Sequence, residues 1–225
     1  MYIMPTTIHI NYANIIPYMV QPLSHIFGSK TKAQEIVYLL ERAKDVVRQG
    51  FYEHELPRVE KFCQEKGINL VKSSFKVLLS NEETGNYSNK GIRISEKDKR
   101  PGMFFVYLSK DEKKAWMASY YELINNVKDL GLILGYPKCC VNFFCMNFKA
   151  NQTDLQLRPT NFFTNTSKRD KDLVILSHFP CDSDCSESIA LAQRYLDTLM
   201  KADRNRAREL VDNLKVERPS SENNL

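Results

Sequence analysis

Cysteine is the residue type whose placement in this sequence most clearly indicates chemistry. Six cysteines are present, and five of them form two short clusters in the second half of the chain: Cys139, Cys140 and Cys145, then Cys181 and Cys185. Deprotonated cysteine is both a soft metal ligand and a nucleophile. The N-terminus lacks the pattern of a secretory signal, so this uneven placement favours metal or thiol chemistry over a disulfide framework.

The first cluster lies where the sequence predicts the start of a helix. Gly135 is expected to end one helix, because glycine readily adopts the left-handed conformation found after a last helical turn. Pro137 suits the first turn of the next helix, where its missing N–H has no consequence. Cys139 and Cys140 are therefore expected in the opening turn of that helix.

The second cluster also precedes a predicted helix. Asp184 and Glu187 have the spacing of a capping box, so Cys185 is expected to open the helix and Cys181 to lie in the preceding turn. The partial positive charge at a helix N-terminus lowers the pKa of a thiol and favours the thiolate. Two such helix starts brought together would form a pocket for a soft cation or a metal cluster.

The predicted ligand set combines thiols from both clusters. Because neighbouring side chains diverge around a helix, we expect either Cys139 or Cys140 to bind, with Cys181, Cys185 and either His178 or the other thiol. Four cysteines, or three with a histidine, suit tetrahedral zinc, and thiolates also suit an iron–sulfur cluster. The spacing does not choose between zinc and a cluster.

Other roles are open for several residues near the clusters. Asp182 is a candidate for proton transfer beside the thiols. A disulfide between Cys140 and Cys185 is an alternative to a metal site. Cys145 and Cys63 lie in apolar surroundings, where a free cysteine behaves as a small hydrophobic residue, so we expect both in the core.

The two motifs resemble a known family. Residues 134–144 read Leu-Gly-Tyr-Pro-x-Cys-Cys-x-x-Phe-Phe, and residues 177–188 read Ser-His-Phe-Pro-Cys-x-x-x-Cys-x-x-Ser. This pair is similar to the uncharacterised, largely archaeal group called domain of unknown function 483. The resemblance supports the importance of the cysteines without implying a reaction. The stretch 161–165 also resembles the family, which makes Asn165 a further candidate.

Length and composition limit the class of protein. The chain has 225 residues, 43% hydrophobic and 26% charged, which suits one or two globular domains. Its net charge of +5 permits an anionic partner without requiring one. No apolar run approaches the roughly 20 residues that span a bilayer. We therefore expect a cytoplasmic protein without a membrane segment.

The order of the elements predicts an α+β fold. A helical N-terminal part with a small antiparallel sheet is followed by a mostly helical part that contains the cysteines. Apolar periodicity predicts one helix over 31–48, capped by Thr31 and Gln34 and followed by a left-handed Gly50. A second helix is predicted over 55–66.

Three strands are predicted over 75–79, 92–95 and 103–109, and their short connections favour an antiparallel meander.

Basic residues are frequent in segment 90–114, around a strand that carries aromatic side chains. Some sheets bind single-stranded RNA with such a pattern. We interpret the strand instead as half-buried, with its basic residues in solvated turns. The aromatic side chains of this predicted strand are those of Phe104, Phe105 and Tyr107.

Two long helices are predicted in the second half, over 110–135 and 184–214. The apolar face of the first is expected to include Trp116, Tyr120 and Leu123. We divide the chain into residues 1–110 (helices and sheet), 111–216 (helical cysteine region) and 217–225 (a mobile polar tail).

The leading functional hypothesis is a cytoplasmic metalloprotein that binds zinc or an iron–sulfur cluster at these cysteines, with His178 as a ligand or as a donor behind the ligands. Whether the site is catalytic or structural is left open. The alternatives are a metal-stabilised module that binds RNA or a protein, and a metal-free thiol enzyme. The expected partner is a small molecule or RNA.

Overall fold

The computed structural model describes residues 19–80, 87–148 and 159–215, so the predicted tail over 217–225 lies outside it. The structure confirms an α+β fold, with a four-stranded sheet in the first half and helices in the second. The elements are α1 (Val20–Phe27), α2 (Lys30–Leu40), β1 (Val46–Phe51), α3 (Leu56–Lys66), β2 (Asn69–Ser80), β3 (Tyr87–Ser95), β4 (Met103–Ser109), α4 (Glu112–Leu123), α5 (Val127–Ile133), α6 (Lys138–Asn147), α7 (Ser186–Ala202) and α8 (Arg204–Leu214). Short 3₁₀ helices cover Glu53–Glu55 and Arg169–Lys171.

The sheet is antiparallel throughout, in the order β1-β4-β2-β3. β2 and β3 form a hairpin, but β4 then pairs with β1 and β2 rather than with β3. Val46 is opposite Ser109, and Val71 is opposite Tyr107. The predicted meander is therefore wrong, because β4 pairs with β2 and not with β3. β1, whose first three residues the sequence analysis assigned to a helix, pairs with the other edge of β4.

The central strand β4 is buried on both faces. Phe104, Val106 and Leu108 belong to a core shared with α1, α2, α3, α7 and α8. Phe105 and Tyr107 belong to a second core shared with α4 and α5. The prediction of a half-buried strand is wrong, because helices cover both sides of the sheet. The aromatic residues of β4 are consequently not exposed for stacking on RNA bases.

The predicted helix over 31–48 ends earlier than expected. Its N-cap is Ser29, whose hydroxyl accepts from the Lys32 N–H, and it ends near Arg42, which has a left-handed φ of 59°. The chain then enters β1, where Val46 and Val47 have the β-branched side chains that strands favour. Gly50 is within β1, opposite Phe105, and is not a helix cap.

The helix predicted over 55–66 is confirmed as α3. Its inner face buries Leu56, Val59, Phe62 and Cys63, as the apolar pattern predicted. Gly67 ends it in the left-handed conformation, with φ of 59°.

The long helix predicted over 110–135 is instead two helices, α4 and α5. Asn125 has a left-handed φ of 59°, and the Asn126 side chain caps α5 by accepting from the Asp129 N–H at 3.2 Å. Asparagine tolerates both conformations better than most residues. The predicted apolar face of α4 is also wrong, because the helix buries Ala115, Ala118 and Glu122 instead, and Trp116 and Tyr120 are 59% and 57% exposed.

The last long helix is also divided. Asp203 ends α7 and caps α8 by accepting from the Arg206 N–H at 3.1 Å. The other oxygen of the Asp203 carboxylate accepts from the Val20 N–H at 2.7 Å, which ties α1 to this corner. One hydrophobic core therefore includes both the first and the last helices described, and the division at residue 110 stays a prediction.

None of the helices described in the structure has the length and apolar content that crossing a membrane requires.

Candidate metal centre

The first cysteine pair is positioned by the start of α6. Gly135 adopts a left-handed φ of 79° after α5, and Pro137 is the N-cap of α6. Cys139 and Cys140 lie in the first turn that follows, as the sequence predicted. The Cys140 side chain is buried and Cys139 is half-buried, so the pair lies at the edge of the core.

The second cysteine pair is positioned by the start of α7. Cys185 is the N-cap, and its N–H donates to the Asp182 carbonyl at 3.2 Å across a tight turn. The predicted capping by Asp184 is wrong, because its carboxylate accepts from Thr160 and Asn161 in a neighbouring loop instead. α7 nevertheless begins at Ser186, two residues after the predicted start at 184.

The four cysteines from the two helix starts form one cluster. The Sγ atom of Cys139 is 3.8 Å from that of Cys140 and 3.6 Å from that of Cys185. The Cys140 and Cys185 Sγ atoms are 3.7 Å apart. Together with the sulfur of Cys181, all four lie within 4.8 Å of one another. The predicted convergence of the two cysteine clusters is confirmed.

The expectation that Cys139 and Cys140 diverge is wrong. Side chains of a helix point toward its N-terminus, so two neighbouring residues in the first turn can both extend past the helix end. The predicted disulfide alternative is not formed either, since all six cysteines, which lie within the described ranges, are free.

Hydrogen bonds around the cluster favour negatively charged sulfur. The Cys181 N–H donates to the Cys140 sulfur at 3.4 Å, and the Ser188 hydroxyl lies 3.1 Å from the same atom. The N-termini of α6 and α7 both face the cluster and add their partial positive charge. Together these groups can stabilise thiolates, the form that binds a metal ion.

The thiols of the cluster differ in their pKa values. Burial acts to raise the pKa of Cys185, but hydrogen bonds from Ser188 and from neighbouring thiols lower it to about 7. Burial and hydrogen bonding to Cys185 raise the pKa of Cys181 to about 12 and raise that of Cys139 further. Without a metal ion, Cys185 is therefore the first of these three thiols to ionise.

His178 lies behind the cluster. Its Nε2 atom is 2.9 Å from the Ser188 hydroxyl, which in turn contacts Cys140. Burial, with Lys44 and Arg169 nearby, lowers the pKa of His178 to about 3, so the ring is neutral at pH 7. Among the described residues, the group of converging ligand atoms consists of the four cysteines and does not include His178.

Ser188 is a site residue that the sequence analysis did not identify as functional. A signal for it was present, because Ser188 follows Cys185 by three residues, which places both on one side of α7. Glu187 was assigned only to capping, yet its carboxylate accepts from the Cys139 thiol at 3.4 Å.

The remaining candidates lie outside the cluster. Asn165 is buried and its side chain bonds to the Leu214 carbonyl and to Ser167, so it holds a loop against the end of α8. Asp182 is exposed and accepts from the Asp184 N–H at 2.7 Å within its own turn. Cys63 is buried, as predicted, but Cys145 is exposed on α6, so its predicted place in the core is wrong.

A cavity of about 300 Å³ adjoins the cluster. Cys140 and His178 form part of its wall, and Arg48 and Glu122, which are 74 residues apart, also line it. Nothing in the local sequence predicted this pair, because β1 and α4 bring the two residues together only in the folded chain. The Nε and Nη2 atoms of Arg48 both donate to the Glu122 carboxylate.

Residues 115–215, which contain all of the cluster, match the model of a family described as protein of unknown function (DUF483). The match confirms the resemblance drawn from the two cysteine motifs. No curated protein and no solved structure matches the chain.

Proposed function

We propose that Cys139, Cys140, Cys181 and Cys185 bind one zinc ion in a closed tetrathiolate site. The observation that carries the proposal is the spacing of the sulfur atoms. A tetrahedral ion with Zn–S bonds of about 2.3 Å requires its sulfur ligands to be about 3.8 Å apart. The three sulfur pairs at 3.6, 3.7 and 3.8 Å agree with that geometry.

The same spacing favours a single ion over an iron–sulfur cluster. In a [4Fe–4S] cluster each thiolate binds a different iron atom at a corner of the iron–sulfide cube, so the four cysteine sulfurs lie outside the cube and farther apart than the ligands of one ion. Four sulfurs within 4.8 Å of one another leave no room for such a core between them. A mononuclear ion is therefore the better fit to these residues.

The role of the ion in this proposal is structural. Four thiolates fill a tetrahedral shell, whereas a catalytic zinc ion keeps one position for water or substrate. The ion links the start of α6 to the start of α7 and thereby holds the irregular chain that carries His178. We place the protein in the cytoplasm, because a reducing compartment keeps its thiols free to bind metal.

Cobalt substitution tests the coordination. We expect the protein reconstituted with Co²⁺ to show intense sulfur-to-cobalt absorption and the visible bands of a tetrahedral site. Cys181→Ser, which should no longer hold the metal, should lose the sulfur-to-cobalt absorption. Cys63→Ser, which changes a buried cysteine outside the cluster, should leave it unchanged. A weak spectrum typical of six-coordinate Co²⁺ would contradict the proposal.

A metal-free thiol enzyme is the second candidate. It is favoured by the pKa of Cys185, which hydrogen bonds lower to about 7 despite burial. Such a thiol is partly ionised near neutral pH and hence nucleophilic. The reactivity of the Cys185 thiol with and without a chelator separates the two candidates.

A further inference from the structure

We propose that the cavity beside the cysteines binds a small aromatic carboxylate. The cavity is defined here as the space lined by Arg48, Glu122, Tyr136, Phe144, Arg169 and Phe179, together with the residues of α5 and α6 that face them. This site adjoins the thiolate site, with which it shares the wall residue Cys140, and the ligand proposed for it goes beyond the function proposed above.

The size of the cavity limits the ligand. A volume of about 300 Å³ is near the lower end of the range for small-molecule sites and equals the liquid volume of about ten water molecules. It accommodates a molecule of roughly ten non-hydrogen atoms, such as a single ring with one substituent.

One wall of the cavity is aromatic. The rings of Phe144 and Phe179 are nearly parallel, with an interplanar angle of 10° and centroids 6.3 Å apart. Phe148 stacks on Phe144, with centroids 4.6 Å apart, and also lines the cavity. Flat aromatic faces offer a ligand ring offset-stacked and edge-to-face contacts. The wall therefore favours an aromatic ligand over a flexible polar one.

The charges that line the cavity favour an anion. Among the described residues that line it, Arg48 and Arg169 carry guanidinium groups, and Glu122 carries the single carboxylate. Arg93, outside the cavity, also bonds to Glu122, so that carboxylate is bonded by two arginines. Arg48 donates to Glu122 through Nε and Nη2, which leaves its Nη1 to meet a ligand. A guanidinium group matches the planar geometry of a carboxylate.

Polar groups in the wall are already fixed in place. The Ser177 hydroxyl lies 3.4 Å from the Tyr136 hydroxyl and accepts from the Lys44 ammonium at 3.1 Å. Lys44 is buried and paired with Glu35, and Arg169 donates to the carbonyls of Ser177 and His178. Fixed donors lower the conformational cost of binding an oxygen-bearing ligand.

Benzoate is the first probe for this site. Titration of the full-length, metal-containing protein, followed by NMR, should show saturable shifts at Ser177, Phe179 and Val141. Benzyl alcohol, which keeps the ring but lacks the charge, should bind about tenfold more weakly. Acetate, which keeps the charge but lacks the ring, should also bind about tenfold more weakly. Equal affinity for benzoate and benzyl alcohol, or no saturable shift with benzoate, would overturn the proposal.

Two arginines provide a matched pair of variants. Arg48→Gln should raise the Kd for benzoate by about tenfold, because it removes one of the two guanidinium charges that line the cavity. Arg93→Gln also removes a partner of Glu122 but lies outside the cavity, so its Kd should stay within about twofold of the wild-type value. Equal effects of the two substitutions would contradict a direct contact with the ligand.

A cavity-filling variant tests the location without removing a charge. Val127 lines the cavity at the start of α5, and Val127→Phe should abolish benzoate binding while the fold is retained. Unchanged binding by a folded Val127→Phe protein would refute this location.

The metal content of every sample is measured, so that the two proposals can fail separately. Benzoate binding without metal would contradict only the zinc proposal. Zinc without benzoate binding would contradict only the cavity proposal.

Discussion

Cys140 and Cys185 are separated by 45 residues in the sequence, yet their sulfur atoms lie 3.7 Å apart. Each belongs to the start of a different helix, and the Ser188 hydroxyl contacts the Cys140 sulfur from one turn into α7. A metal ion at this point would therefore join two chain segments that are distant in the sequence.

Loss of one cluster thiol should remove both the metal and much of the stability. Cys185→Ser should abolish metal binding and lower the free energy of unfolding by several kcal/mol, because three thiolates hold zinc less tightly and the link between α6 and α7 weakens. Elemental analysis and chemical denaturation measure the two effects.

The control for this substitution is Cys145→Ser. Cys145 is on the same helix as Cys140 but is exposed and outside the cluster. Its replacement should leave the metal content unchanged and alter stability by less than about 0.5 kcal/mol. Equal metal loss in both variants would contradict the ligand assignment.

Thiol reactivity should depend on the metal. In the native protein, iodoacetamide should label Cys145 and spare the cluster. After chelation, Cys185 should react first, because its pKa of about 7 gives the largest thiolate fraction among the three thiols compared above. Mass spectrometry of the digested protein identifies the labelled residues. Rapid labelling of Cys185 before chelation would favour the thiol-enzyme candidate instead.

Buried His178 should make stability fall in acid. Its folded-state pKa of about 3 is below the ordinary value of 6.5, so the unfolded chain takes up a proton first as the pH falls. The contribution of the neutral ring to the free energy of unfolding is complete above pH 6.5 and is lost toward pH 3. The free energy of unfolding falls over this range by at most about 1.4 kcal/mol per pH unit.

His178→Gln tests this dependence, since glutamine keeps a polar group near Ser188 but does not titrate. Denaturation of both proteins, with the metal content matched, should show a shallower decline for the variant between pH 6.5 and pH 5. Parallel curves would mean that His178 is protonated equally in the folded and unfolded states.

Gly131 should be intolerant of even a methyl group. A Cβ atom there would lie 2.8 Å from a methyl carbon of Val141, at the contact between α5 and α6. Gly131→Ala should therefore destabilise the protein by about 1–2 kcal/mol, although alanine normally favours a helix. Thermal unfolding measures the change, and adding Val141→Ala should recover part of it. A more stable Gly131→Ala protein would show that this contact is looser than described.

The sequence was informative where the structure depends on a few neighbouring residues. Gly135 and Pro137 predicted the start of α6, and the apolar pattern of α3 predicted its buried face. It was misleading where a single backbone conformation interrupts a continuous pattern. Left-handed residues at Arg42 and Asn125 end helices whose apolar periodicity continues past them.

The rest of the site depends on tertiary packing. The two buried faces of β4 follow from helices placed on both sides of the sheet, which no local pattern specifies. The pairing of Arg48 with Glu122 likewise requires β1 and α4 to meet. The sequence therefore predicted the cysteine cluster but not the cavity beside it.

Metal analysis of the anaerobically purified protein, combined with its absorption spectrum, tests the central claim most directly. We predict one zinc ion per chain, no visible absorption band, and loss of the zinc in Cys181→Ser and Cys185→Ser. Iron with sulfide and a brown colour, or no metal near one equivalent, would contradict a single zinc ion held by the four cysteines.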